Sequence, residues 1–445
     1  MAHRLRKPTG PGLPGPSRSA PRIDTALPAR LCTLLNAVCC TLMNVRPRPL
    51  APPPKGARTL TEGRENRFEK APRKVLAVLW GLLALVLCTG LFFVGKALRD
   101  EVKRGVERYI VLRERRPASD IPQTPSKQLA AVADGLERKA YPFRVDADGY
   151  LLPSAVHEKP DLTVVFLGGS TTECMFMQEE ERFPYLVGRE LEKSLGLKVN
   201  SLNGGTAGNN TLHCVLALQG KVLPRKPQAV VLMECVNDLN YLMVVGDYWT
   251  SHATRGIVFD KDYGPVKNFL IRHFVHRKVL DSSGEDEFAA QRGKMNAFDL
   301  AAMTSAYRKN LELFVYLCRQ HGITPVFMTQ FNRFSEAPEE NLLRQMQATR
   351  DDWGIDFAAY RKAYMALQDT MRAVAAEQKA GLIDLDALVP KDKALMYDVV
   401  HLNPKGARLV ADIVAAKLPG ILADTLRDIR ADKPQAVRKA HKDVP

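Results

Sequence analysis

Four short blocks of this chain hold residue types that nucleophilic chemistry needs. Gly168-Gly169-Ser170 closes the run Leu162-Thr163-Val164-Val165-Phe166-Leu167. A β-prone apolar run that ends in glycines reads as a buried parallel strand with a sharp turn, which puts Ser170 at a strand's carboxyl end, where open α/β sheets bind ligands. Asn203-Gly204-Gly205-Thr206-Ala207-Gly208-Asn209-Asn210-Thr211 is a second polar turn, Val236-Asn237-Asp238 a third, and Asp398-Val399-Val400-His401 stands just before Pro404. A hydroxyl becomes a useful nucleophile when an imidazole takes its proton, and a carboxylate can fix that imidazole's tautomer. Each block alone has a plainer reading. Gly-Gly-Ser after a strand is an ordinary turn, and an aspartate three residues before a histidine is a local hydrogen-bond partner.

The elements that would position these blocks alternate. Strands are expected at 162–168, 198–202, 229–235, 323–329 and 381–385, and helices at 183–195, 213–223, 299–321, 357–379 and 404–418. Strands separated by helices predict an α/β fold with a mostly parallel sheet wrapped on both faces. The polar turns all follow strands, so they gather along one edge of that sheet. Two stretches break the alternation. Insertions at 239–298 and 331–355 carry Tyr241, Tyr248, Trp249, Tyr263, Phe269, Phe274, His252, His273 and His276 in the first and Trp353 in the second. Both read either as lids or binding loops, with rings to stack on sugar faces, or as small satellite cores.

Taken in order, Gly168-Gly169-Ser170, Gly208, Asn237-Asp238 and Asp398-x-x-His401 resemble the SGNH hydrolases, the GDSL-type esterases and lipases, over roughly residues 162–418. The resemblance implies a three-layer α/β/α, flavodoxin-like domain. It implies Ser170 as nucleophile, His401 as general base and then acid, and Asp398 as the orienting carboxylate. It assigns the oxyanion hole to the backbone N–H groups of Ser170 and Gly208 and the side-chain amide of Asn237. No cofactor and no metal are called for. Two positions depart from the pattern: Gly169, where an aspartate usually stands before or beside the serine, and Cys235, where a glycine usually opens the third block. Core or surface roles are expected for His157, His213 and His321.

Of the 64 Lys/Arg and 49 Asp/Glu, 15 and 4 lie in residues 1–74, so the net charge of +15 belongs mainly to an N-terminal arm and gives no case for nucleic acid binding by the body. That arm, rich in proline, is expected to be disordered. Its apolar stretch at 31–43 is too short to span a bilayer and reads as a signal-like segment, an interfacial patch, or sequence upstream of a start at Met43. Residues 75–95 are uncharged and bracketed by Arg73-Lys74 and Lys96, the pattern of a transmembrane signal anchor. Flanking Lys/Arg are balanced, and the wider N-terminal excess predicts an inside N-terminus with the body extracytoplasmic, outside an inner or cytoplasmic membrane. Residues 96–126 are expected to form a stalk and linker, 127–420 the hydrolase-like domain and 421–445 a C-terminal tail, of which 433–445 is basic, without periodicity and expected to be disordered. Cys174, Cys214, Cys235 and Cys318 show no metal spacing and read as buried thiols or disulfide candidates.

The expected function is therefore that of a membrane-anchored esterase similar to anchored bacterial SGNH enzymes that act on O-acyl, notably O-acetyl, esters of cell-surface carbohydrate. The alternatives are an O-acyltransferase with the same triad, a phospholipid-directed lipase, and a non-catalytic module of polysaccharide assembly.

Overall fold

Along β1 (Leu162–Gly168), every residue but Thr163 is buried. Val165 and Leu167 enter one core and Leu162, Val164 and Phe166 the other, as the two-residue period of a strand requires. At roughly 1.5–3 kcal/mol for each fully buried Val, Leu or Phe, this central strand anchors both cores. The computed structural model describes residues 67–102, 112–249, 297–346 and 354–440. β2 (Val199–Asn203), β3 (Ala229–Met233), β4 (Thr324–Met328) and β5 (Gly381–Ile383) complete a five-stranded sheet. All neighbours pair in parallel in the order β2-β1-β3-β4-β5. The order reverses between β1 and β3, and the carboxyl edge at such a switch point is where α/β sheets bind ligands.

The principal helices are α1 (Arg67–Val102), α2 (Phe183–Leu195), α3 (Thr211–Ala217), α4 (Val236–Val245), α5 (Leu300–Gln320), α6 (Phe357–Glu377), α7 (Pro404–Ile421) and α8 (Ala423–Ala440). α2 and α7 pack on the sheet face that carries Phe166 and Val231, and α3 to α6 on the face that carries Val165 and Leu232. The result is the α/β/α sandwich expected from the alternation. The chain divides into two units, Met1–Leu82 and Leu83–Pro445. The described part of the first, 67–82, is helical; the sheet and both cores lie in the second. Within α1, Val75–Lys96 has a mean hydropathy of 2.5 and none of its residues is buried. It is long and apolar enough for a single membrane pass.

Four stretches differ from their sequence reading. β3 stops at Met233, and Val236-Asn237-Asp238 is the first turn of α4 rather than a loop, because Leu239, Leu242 and Met243 are buried and carry the helix on to Gly246 at φ +89°. The insertion expected from 239 thus begins as a helix, and its residues 250–296 lie outside the described residues, as do 1–66, 347–353 with Trp353, and 441–445. In the second insertion, Phe331 and Phe334 are fully buried. Residues 112–126, expected as stalk and linker, lie against the body: Leu112 is buried, and Asp120 and Gln123 bridge to Arg144 and Tyr141. Residues 421–445, expected as a C-terminal tail, are helical over Ala423–Ala440, docked through buried Leu422 and Leu426.

Candidate active site

Ser170 opens a one-turn helix, Ser170–Glu173, directly after β1. Gly168 and Gly169 permit this turn because an added Cβ at Gly168 would stand 2.1 Å from Thr172 Oγ1 and 2.6 Å from the Met233 carbonyl. The loop after β2 is tied to the same strand end, with Gly204 N–H donating to Phe166 O (2.8 Å) and Thr206 N–H to Gly168 O (3.0 Å). Gly208 sits there at φ +78°, a left-handed conformation that favours glycine. After β3, Asn237 Nδ2 donates to Asn209 O at 2.7 Å and lies against Gly169. The three turns read from sequence therefore meet at one sheet edge.

The fourth block comes from the other side of the chain. Asp398 Oδ1 accepts from the N–H groups of Val400 (2.9 Å) and His401 (2.8 Å), which fixes the carboxylate within its own turn. His401 Nδ1 lies 2.7 Å from Asp398 Oδ2, and its Nε2 lies 2.8 Å from Ser170 Oγ. With Nδ1–H donating to Asp398, Nε2 is free to accept the serine proton. Asn403 then caps α7 through Gly406 N–H (3.0 Å), and Gly406 lets the helix start against the Leu395 carbonyl, which any Cβ would meet at 2.1 Å. Tyr397 stacks on the His401 ring at 5.5 Å between centroids and 5° between planes.

The electrostatics separate the buried acids. Burial would raise Asp398, but the charge and hydrogen bond of His401 outweigh it and hold the carboxyl below the usual range. Burial would lower His401, and Asp398 outweighs that in turn, so the imidazole lies above its usual 6.5. Glu234, fully buried beside Asn237 and Gly169, is pushed well above the carboxylate range by burial, with Asp238 adding to it. Asp238 rises to about 6 through burial, although Thr211 and Tyr248 donate to it. Its oxygens hold Thr211 N–H (3.0 Å) and Oγ1 (2.6 Å), which ties the start of α3 to the start of α4.

All five residues singled out from sequence, Ser170, Gly208, Asn237, Asp398 and His401, thus lie at the carboxyl edge of the sheet. Cys235 is accommodated at φ −162°, an extended conformation, with its thiol in the core near Tyr364 O (3.6 Å). Cys174, Cys214, Cys235 and Cys318 are buried and in no disulfide. His213 caps its own helix, its Nδ1 accepting from Asn210 N–H. Sequence reasoning passed over Arg113, Arg115, Glu173 and Glu234, which surround the same turns. Glu173 and Glu234 carried a signal, an acid at the end of an apolar strand or in its following turn; Arg113 and Arg115 carried none.

A family model described as the GDSL-like Lipase/Acylhydrolase family matches residues 166–409, more than half of the chain. The chain belongs to this family. Membership in the GDSL-like hydrolases carries their general activity, hydrolysis of ester bonds. Solved structures similar to this chain include an α/β hydrolase from the metagenome of Lake Arreo (17% identity, 57% of this chain and 94% of that chain, TM-score 0.36). Others are an acetylxylan esterase from Geobacillus stearothermophilus (14%, 57% and 93%, 0.35) and a lipase/acylhydrolase from Enterococcus faecalis (16%, 58% and 96%, 0.35). No curated protein matches the chain significantly.

Proposed function

We propose that this GDSL-like hydrolase is a membrane-anchored serine esterase in which Ser170 is the nucleophile, His401 the general base and acid, and Asp398 the orienting carboxylate. The observation that carries the reading is the continuous relay from Ser170 Oγ through His401 to Asp398, at 2.8 and 2.7 Å. Nε2 takes the hydroxyl proton as Oγ attacks the ester carbonyl, and Asp398 stabilises the imidazolium that forms. The carbonyl oxygen gains negative charge and meets the N–H groups of Ser170 and Gly208 and the Asn237 amide. His401 then returns the proton to the leaving alkoxide, and water, activated by the same nitrogen, releases the acyl group.

The substrate class in this proposal is an O-acyl, notably O-acetyl, ester of extracytoplasmic carbohydrate, with the body outside an inner membrane that Val75–Lys96 crosses once. The domain limits of the sequence reading are kept, except that the catalytic body begins by residue 112. Purified full-length protein is assayed in detergent with acetyl and long-chain nitrophenyl esters beside Ser170→Ala. Acetyl turnover that vanishes in the variant is the expected result. A long-chain preference moves the assignment to a lipase, and transfer to a sugar acceptor without hydrolysis moves it to an acyltransferase. Failure of Ser170 to react with a fluorophosphonate refutes the nucleophile. Protease treatment of spheroplasts tests the topology: a body that resists digestion overturns it.

A further inference from the structure

Residues 112–115 follow the apolar helix in sequence, separated from it by 103–111, and make side-chain contacts that a passive tether does not need. Arg113 Nη1 donates to Ala207 O (2.9 Å) and Asn209 Oδ1 (2.6 Å), while Asn209 Nδ2 returns a bond to the Arg113 carbonyl (3.3 Å). These two bonds bracket Gly208, and an added Cβ there would stand 2.8 Å from Arg113 Nη2. The main-chain oxygen of the same Asn209 receives the Asn237 amide. Arg115 grips Glu173 with two parallel bonds, Nε to Oε1 at 2.5 Å and Nη2 to Oε2 at 3.0 Å. Glu173 is fully buried, ends the turn that Ser170 begins, and donates its N–H to Gly169 O (3.0 Å). Between the two, Glu114 pairs with buried Lys221 at 2.9 Å.

We infer that Arg113 and Arg115 are positioning residues of the active site: Arg113 holds the Ala207–Gly208–Asn209 loop, and Arg115 holds the turn that carries Ser170. The segment after the membrane helix thereby completes the oxyanion hole and the nucleophile turn. The bidentate geometry at Glu173 matches the fork of a guanidinium, which a lysine cannot reproduce. Among the described residues Arg115 is the charge partner of this fully buried carboxylate, so the turn depends on Arg115 for its neutrality. The kinetic consequence rests on the serine-esterase reading; the structural one rests on geometry alone.

The test uses the full chain in detergent, as Arg113→Ala, Arg113→Lys, Arg115→Ala, Arg115→Lys and Glu114→Gln. It reads kcat and KM on an acetyl ester, the unfolding midpoint, and amide hydrogen exchange of peptides that cover 168–175 and 203–211. Arg113→Ala is expected to lower kcat about 100-fold with little change in KM, the loss that misplacing a reacting group by about 1 Å produces. Exchange across 203–211 should rise at least about tenfold while amides of β1 stay protected. Arg113→Lys should restore part of both, and Arg115→Lys little. Glu114→Gln should lower the midpoint and leave kcat as it is. Exchange in both loops equal to wild type overturns the inference, as does a kcat loss in the arginine variants no larger than in Glu114→Gln. If wild type turns over no ester, the esterase reading fails, and the exchange arm still decides the positioning roles. If Arg113→Ala does not fold, Arg113→Lys carries the comparison.

Discussion

Gly169→Ala probes Asn237, the oxyanion donor of the proposed mechanism, without touching any reacting group. Gly169 lies at φ −88° and ψ −151°, so the backbone itself admits a side chain. An added Cβ, however, would stand 2.3 Å from Asn237 Nδ2, 3.1 Å from Glu234 Oε1 and 3.3 Å from Asn209 O. Asn209 O is main chain and Glu234 is fully buried, so the Asn237 amide is the group that must yield. Ordinary contact begins at 3.4 Å, so the amide retreats by about 1 Å, a misplacement that costs about 10² in rate. Outright loss of one oxyanion donor costs about 10²–10³ in kcat, or roughly 2.7–4 kcal/mol. Gly169→Ala is therefore expected to lower kcat by about 10² with KM nearly unchanged, because the charge that Asn237 meets develops after binding. Asn237→Ala should match it. The double variant should be no worse than the poorer single one, since both remove the same donor. The assay is kcat and KM on nitrophenyl acetate with full-length protein, alongside the thermal midpoint. Activity of Gly169→Ala within about threefold of wild type, or multiplicative losses near 10⁴ in the double variant, would refute the placement of Asn237. Aspartate, which usually stands before or beside the serine in the SGNH pattern, should be at least as damaging at 169 in this chain.

Four further outcomes are expected. Asp398→Asn should cut kcat by about 10⁴ through the wrong tautomer of His401; loss below about tenfold counts against the relay. The acid limb of kcat/KM should lie above pH 6.5, since His401 must be neutral to act, and Asp398→Asn should move it to lower pH, because burial then acts without the opposing carboxylate. In stability terms the raised His401 contributes fully below 6.5 and loses its contribution as pH rises through its folded value, whereas the lowered Asp398 contributes above 3.8 and loses it as pH falls through its folded value; pH-dependent urea unfolding of wild type and His401→Ala reads both. Arg182, 1% exposed, donates to the carbonyls of Cys174 (3.3 Å), Leu152 (2.9 Å) and Pro142 (2.9 Å), so Arg182→Ala should destabilise by about 3 kcal/mol or more, at about 1–3 kcal/mol for each stranded acceptor, read by denaturant titration.

The alternation of strands and helices was legible because β1, β3 and β4 are short apolar runs that stop at a glycine or a polar turn, and α2 was readable to its last residue from its spacing and Pro184. The meeting of Ser170 with His401 rested on a resemblance, since 231 positions separate them and no local rule pairs them. α4 was missed because Asn237-Asp238 looks like a loop motif, and only tertiary burial of Leu239 and Leu242 shows that the helix starts beneath it. Arg113 and Arg115 were missed for the opposite reason. In a stretch of alternating charges, nothing local distinguishes an arginine that faces water from one that grips a buried glutamate.

The acids around Ser170 show why charge had to be sorted as well as placed. Asp398, Glu173, Glu234 and Asp238 are all carboxyls around the turns that meet at Ser170, and four negative charges there would oppose an oxyanion forming in the proposed mechanism. Each is handled differently. Asp398 stays ionised because His401 and two backbone N–H groups meet it, and its charge is useful on the imidazolium side. Glu173 is paired with Arg115. Glu234, which touches the Asn237 amide, is pushed well above the carboxylate range by burial, which disfavours a charge beside that amide. Asp238 is pushed to about 6, and its oxygens are occupied by Thr211 and Tyr248. Environments that drive like groups apart in pKa mark which one serves the base and which ones must be silent. The same sorting gives Arg113 a second consequence: its charge pulls Glu234 toward ionisation while its bonds hold the oxyanion loop.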